Sequence, residues 1–268
     1  MFEFIIRNNI YHILIHTVQY YMLSILLKIE KNAKADVLKP SITIGLLGGN
    51  EFTEGCLAAD TIILGKTNKK QPNIVILPTA NVHHPDIAAH NGIQYFSHLG
   101  HSACSIMVTN RQEADTPALF DKLSDCDLLY LPGGEPQHLY QSLKNTALIE
   151  SISNRGHQGM VIAGSSAGAM VMGELLKNPS LGTWEFGLGL IPNLGVIPHH
   201  EHADYVETHE QLVETVFNEH SNTVVYGISI ESGCVITGDQ VTVIGHDNLI
   251  AYRKSGYSEY TVNEQLSL

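Results

Sequence analysis

Short apolar runs alternate with longer stretches of helical periodicity from Ser41 onward, and this alternation predicts an α/β fold. The expected form is a three-layer α/β/α sandwich around a mostly parallel sheet, built from residues 41–268 as one domain. Two further observations support it. Three glycine-bearing loops follow predicted strand ends: Gly48-Gly49-Asn50-Glu51, Pro132-Gly133-Gly134-Glu135-Pro136 and Gly164-Ser165-Ser166-Ala167-Gly168. The last of these directly follows the apolar run Met160-Val161-Ile162-Ala163 and reads as a strand turning sharply into a helix, with a serine at the apex.

Taken in order, the spacing predicts strands over 42–47, 73–77, 105–108, 128–131 and 160–163. Later β-rich runs cover 223–228, 234–237 and 241–246, with Gly238-Asp239 as a hairpin turn between the last two. Helices are expected over 53–64, 86–99, 116–123, 137–143, 147–155, 167–175 and 204–218. No internal repeat or low-complexity tract interrupts the series.

The first 40 residues stand apart. From Asn8 to Leu27 there is no Lys, Arg, Asp or Glu, about the length that spans a bilayer, but His12, His16, Thr17, Gln19 and Ser24 interrupt it. A basic leader and a small-residue cleavage site are missing, which speaks against a signal peptide. The stretch reads as a helical extension packing on the domain or a partner, ahead of membrane contact, and 28–40 as a polar linker.

Composition excludes several classes. The 268 residues carry 27 acidic and 15 basic side chains, a formal charge of −12, so no cationic surface for nucleic acid is expected. Apolar residues at 44% and charged residues at 16% describe a chain that folds around a core. Cys56, Cys104, Cys126 and Cys234 form no C-x-x-C pair, which favours reduced buried thiols in a cytoplasmic protein over disulfides or zinc.

The three loops lie where an α/β sheet binds its ligands, outside the carboxyl ends of the strands. Neither G-x-G-x-x-G nor a Walker pattern is present, so the loops are not a phosphate cradle and no cofactor is implied. The serine turn instead fits a nucleophile elbow. Gly164 and Gly168 remove Cβ atoms that would clash, and Ser166 is lifted above the sheet edge beside free N–H groups at a helix start. A serine nucleophile needs a base, and His199, following Gly195-Val196-Ile197-Pro198, is the leading candidate among 15 histidines. His200 and His202 compete with it. A carboxylate should orient the imidazole. Glu185, Glu174, Asp204 and Glu231 are all available; Glu185, between elbow and histidine, is carried as the expected member. The oxyanion donors are expected to be the N–H groups of Ala167 and Gly134.

Together, the elbow Ala163 to Met170, Leu131-Pro132-Gly133-Gly134-Glu135-Pro136 and Gly187-Leu188-Gly189-Leu190 leading to Pro198-His199 resemble the dipeptidase E and cyanophycinase family of serine peptidases. Gly48 to Glu51, Leu77-Pro78-Thr79-Ala80 and Gly227 to Gly233 extend the likeness over roughly 41–250. The resemblance implies a class I glutamine amidotransferase-like fold and a Ser-His-acid peptidase of small peptides. Dipeptidase E cleaves dipeptides with N-terminal aspartate, and cyanophycinase cleaves an aspartyl-arginine polymer. It maps the nucleophile to Ser166, the base to His199 and an oxyanion donor to Gly134. Family members usually have Asn or Asp at the position of Glu135 and an aromatic residue at that of His200. The glutamine amidotransferases use a cysteine at the elbow, where this chain has Ser166.

Two other readings compete. The cluster His199-His200-Glu201-His202 has the residue types of a metal-dependent hydrolase, although no H-E-x-x-H helix is present. A non-catalytic binder of small ligands would keep the same fold. The expected partner is a small peptide substrate; a homo-oligomer is left open. Arg111 or a lysine would serve an acidic substrate.

Overall fold

The computed structural model describes residues 41–202 and 206–268. The expected N-terminal extension, with its charge-free stretch 8–27, lies outside them. Among the described residues no helix is long and apolar enough to cross a membrane. In chain order the elements open with β1 (Thr43–Leu47), α1 (Leu57–Gly65), β2 (Ile74–Ile76), α2 (Pro85–His98), β3 (Ala103–Ser105) and α3 (Arg111–Ala114). Then come β4 (Leu128–Leu131), α4 (Pro136–Leu143), α5 (Ala147–His157), β5 (Val161–Ser165), α6 (Ala167–Met170), β6 (Leu175–Asn178), β7 (Thr183–Phe186) and β8 (Leu194–Pro198). The rest are α7 (His209–Leu212), β9 (Val224–Ile228), β10 (Gly233–Thr237), β11 (Gln240–Ile244), β12 (Leu249–Arg253), β13 (Gly256–Tyr260) and β14 (Gln265–Ser267).

The main sheet has eight strands in the order β14-β11-β10-β1-β5-β4-β2-β3. Strands β1, β5, β4, β2 and β3 run parallel, and β10, β11 and β14 add an antiparallel margin. Alternate side chains divide between its two faces. Leu128, Tyr130, Ile74, Ile76, Val161 and Ala163 meet Ala59 and Ile63 of α1 and Phe96 of α2. Leu129, Leu131, Val75, Ile162, Ile44 and Leu46 meet Leu139 and Leu143 of α4 and Leu148 and Ile152 of α5. Helices on both faces require both to be apolar, so these strands read as continuous hydrophobic runs.

The sandwich expected from the sequence is therefore present, with an addition. Strand β9, close in sequence to β10 and β11, belongs to a second sheet of order β13-β12-β9-β8. One face of this sheet, with Val196, Tyr226 and Ala251, joins the main core. The other face, with Ile197, Val225 and Tyr252, is covered by Leu212, Val216 and Phe217. This second layer delivers the chain after β8 to the edge of the first.

Other differences have local causes. The helix expected over 167–175 stops at Met170 because the following loop takes over its carbonyls. Leu188 N–H donates to Val171, Ile191 to Met172 and Gly189 to Gly173. The helix expected over 116–123 is two 3-10 segments, Pro117–Leu119 and Asp121–Asp125, and buries Phe120 and Leu123 at the three-residue spacing natural to that geometry. Strand β3 begins two residues earlier than expected and ends three earlier, with buried Ile106 and Val108 continuing past it. The Gly238-Asp239 hairpin forms as read, joining Thr237 to Gln240. The four cysteines are free thiols, three of them buried.

One buried group makes stability depend on pH. Asp60 of α1 is 1% exposed and accepts a hydrogen bond from Tyr95 Oη of α2 at 2.9 Å. Burial pushes its carboxyl up to about 7, and the nearby Glu51 charge adds to the rise. The folded state thus holds a proton that the unfolded chain releases near 3.8, so stability falls as pH rises from there through about 7. Asp60→Asn retains an acceptor for Tyr95 without the titration. In thermal melts across that window, the wild type is expected to lose stability with rising pH relative to D60N.

Candidate active site

At the end of β5 the backbone makes a turn that side chains rarely tolerate. Ser166 sits at φ 50°, ψ −114°, a strained conformation costing on the order of 1–3 kcal/mol. Packing holds it there. Ser166 N–H donates to Leu47 of β1 at 3.0 Å, and its carbonyl accepts from Met170 N–H at 2.9 Å to start α6. A Cβ on Gly168 would run into the carbonyl oxygen of Leu131, so only glycine lets α6 approach β4.

Strand β8 pairs parallel with β9 and ends at Pro198, which places His199 at the same edge. Its backbone is at φ 138°, also unusual for a side chain other than glycine. The imidazole lies against Gly49, where a Cβ would occupy the space of the ring. From there Nε2 reaches Ser166 Oγ at 2.7 Å. The structure thus brings together the two residues that the sequence singled out, 33 positions apart.

The second glycine loop forms the facing wall. Glu135 N–H donates to the carbonyl of Ala80 at 2.7 Å, and Thr79 Oγ1 donates to Val108 at 2.5 Å, which braces the loop from β2. Gly133 N–H donates to Glu51 Oε1 at 2.6 Å, and Ser165 Oγ donates to Glu51 Oε2 at 2.8 Å. Gly134, at φ 146°, lines a cleft of about 530 Å³ with Ser166, His199, Glu135, Met170 and Lys177. Ala167 opens α6, so its N–H has no carbonyl one turn earlier within the helix.

The expected acid is not brought to this pair. Glu185 sits on β7 and accepts from Asn178 Nδ2 at 3.1 Å across the β6–β7 hairpin; among the described residues it makes no hydrogen bond to His199. Glu185 is paired with Leu176 in the hairpin, and Asn178 is its diagonal neighbour across the strands. Glu174 accepts from Asn193 N–H at 2.7 Å, and Glu231 from Asn50 Nδ2 at 2.6 Å. Asp204 lies outside the described residues. Among the described residues, the carboxylates whose charge acts on His199 are Glu201 and Glu51.

The imidazoles of the histidine cluster diverge. His200 Nε2 meets Tyr252 Oη at 3.0 Å, its ring seated over Gly227, and His202 pairs with Glu201 at 3.2 Å. No group of three or more His, Cys, Asp or Glu side chains among the described residues is placed to hold a metal ion. Arg111 is turned away to the carbonyls of Lys144 and Asn145.

Residues 44–244 match Peptidase family S51. The chain belongs to peptidase family S51. Among similar proteins are the cyanophycinases of Trichormus variabilis, 30% identical over 146 residues, and of Geminocystis herdmanii, 27% identical over 184 residues. The first alignment covers 50% of this chain and 49% of the relative, and the second 64% and 66%. The chain thus spans about half the length of the first relative. A crystal structure of a peptidase from an acI-B1 Actinobacterium superposes with a TM-score of 0.75 at 25% identity, covering 86% of this chain and 98% of that one. A putative peptidase E from Listeria monocytogenes EGD-e, at 19% identity and TM-score 0.55, shares the fold; the match covers 77% of this chain and 100% of that one.

Two residues of this family-S51 site escaped the sequence reading. Glu51 was quoted only as part of the first glycine loop, though a carboxylate straight after a strand-end Gly-Gly was the available signal. Lys177 fell beyond the expected end of a helix; it stands on β6 at the cleft wall, 3.2 Å from Glu207. Burial lowers the pKa of His199 below its ordinary 6.5, with Glu201 and Glu51 opposing and His202 adding to the fall. Burial thus favours the neutral imidazole, whose acceptor nitrogen can receive the Ser166 proton. An NMR titration is expected to place His199 below 6.5; a value above it would contradict the placement of this ring.

Proposed function

We propose that the chain is a serine peptidase that cleaves small peptides through an acyl-enzyme on Ser166. The observation that carries the reading is the 2.7 Å contact between Ser166 Oγ and His199 Nε2 at a strained elbow. His199 takes the hydroxyl proton as Oγ attacks the scissile carbonyl carbon. Negative charge moves onto the carbonyl oxygen, where the N–H groups of Gly134 and Ala167 receive it. Gly133 N–H is engaged by Glu51, which favours Gly134 as the donor from that loop. The tetrahedral intermediate collapses, the C–N bond breaks and His199 returns its proton to the leaving amine. Water then attacks the ester with His199 again as base, which frees Ser166 and the carboxylic acid product.

The imidazolium formed in each half-reaction is stabilised by nearby negative charge, which Glu201 and Glu51 supply. Lys177 at the cleft wall supports a preference for peptides with an acidic residue. The cleft volume of about 530 Å³ suits a short peptide.

A dipeptide library read by mass spectrometry, together with fluorophosphonate labelling, tests this. The wild type is expected to label at Ser166 and to hydrolyse at least one library member. Ser166→Ala and His199→Ala are expected to lose at least about 1,000-fold in turnover, since such groups act as a unit. Well-folded wild-type protein that neither labels nor hydrolyses would instead favour a small-ligand binder. The rising limb of kcat/KM should lie below pH 6.5, because activity appears as a base of lowered pKa loses its proton. Lys177→Glu should raise KM for acidic dipeptides more than for neutral ones; an equal change in both would remove Lys177 from substrate choice.

A further inference from the structure

The two hydrogen bonds that Glu51 accepts go to the neighbours of the Ser166–His199 contact, and they join the three loops that surround it. Glu51 follows β1. Oε1 accepts from Gly133 N–H, after β4, at 2.6 Å, and Oε2 accepts from Ser165 Oγ, at the end of β5, at 2.8 Å. Both oxygens act as acceptors, as those of an ionised carboxylate do. The fit is close: a Cβ built on Gly133 would lie 3.0 Å from Glu51 Oε1 and 3.3 Å from the Cβ of Ser166.

We propose that Glu51 is a positioning residue that locks the oxyanion loop and the nucleophile elbow into one rigid unit through its two hydrogen bonds. The inference rests on the reading of Ser166 as nucleophile and adds a residue to it. One arm turns Gly133 N–H away from the cleft, which leaves the next amide, Gly134, to line it. The other arm steadies Ser165, the neighbour of a residue held at φ 50°. Since β1 lies between β5 and β10 in the sheet, the loop that carries Glu51 is rooted in the centre of the fold. Oxyanion stabilisation depends on donors fixed before charge develops, and small displacements of such donors are costly.

The charge of Glu51 also acts on His199, together with Glu201, against the effects of burial and His202. Its removal leaves the imidazolium less stabilised and lowers the pKa of the base further.

The test measures the second-order rate of fluorophosphonate labelling at Ser166 against pH, with melting temperatures, for the wild type, Glu51→Ala, Glu51→Gln and Ser165→Ala. Glutamine can keep both contacts, its carbonyl accepting from Gly133 and its amide donating to Ser165 Oγ. E51A is expected to label roughly 10–100-fold more slowly, in line with a misplaced oxyanion donor. E51Q should recover most of that rate while the rising limb of its pH profile moves to lower pH. S165A, which cuts one arm, should lose less than E51A. A purely structural role would lower the melting temperature and leave the labelling rate and pH limb of the folded protein unchanged, which would overturn the proposal. An E51Q rate as low as that of E51A would overturn it too. If E51A does not fold, the shifted limb of E51Q and the partial loss in S165A decide. A wild type that does not label at all sinks the peptidase reading and this proposal together; normal wild-type labelling with unaffected variants sinks this proposal alone.

Discussion

The turn at Ser166 is the constraint on which the site depends. A backbone at φ 50°, ψ −114° does not persist by local preference, so the surroundings must fix it. They do so from several sides: the amide is held by β1, the carbonyl starts α6, and α6 can approach β4 only because Gly168 has no side chain. The restraints come from β1, from α6 and from the packing of α6 on β4. The sheet thus aligns the carboxyl ends of β1, β4 and β5 and forces one side chain up between their loops.

The partner of that side chain arrives by a separate route. His199 ends β8, a strand of the second sheet, and its ring fills the space that Gly49 leaves open beside β1. The hydroxyl–imidazole contact is therefore a contact between two sheets packed on one core. Burial of the ring favours its neutral form, while the charges of Glu51 and Glu201 favour the protonated one. Membership of peptidase family S51 agrees with this arrangement, and the structural neighbour with a TM-score of 0.75 covers 86% of the chain.

Local signals in the sequence were sufficient for the parts of the molecule built from local physics. The elbow was legible because glycines at 164 and 168 around a serine have few other uses after an apolar run. The parallel core was legible because strands covered on both faces must be apolar throughout. The second sheet was not: β9 and β10 are both short β-rich runs, and long-range pairing of β9 with β8 and β12 separates them. The hairpin β6–β7 was read in part as helix because Ala167 to Met172 looks helical until the carbonyls of 171–173 are claimed from elsewhere. The triad acid was undecidable by spacing, and three of its four candidates are engaged by Asn178, Asn193 and Asn50. Glu51 was hidden by its short sequence distance from Gly49, since its partners lie 82 and 114 positions away.

The placement of Ser166 between a base and two amide donors is tested most directly by a crystal structure of the protein after reaction with a fluorophosphonate. The account expects phosphorus bonded to Ser166 Oγ, with the phosphoryl oxygen within hydrogen-bond reach of the Gly134 and Ala167 N–H groups and His199 on the opposite side. An adduct on Ser165 or another residue, or a phosphoryl oxygen pointing into solvent away from both amides, would contradict it.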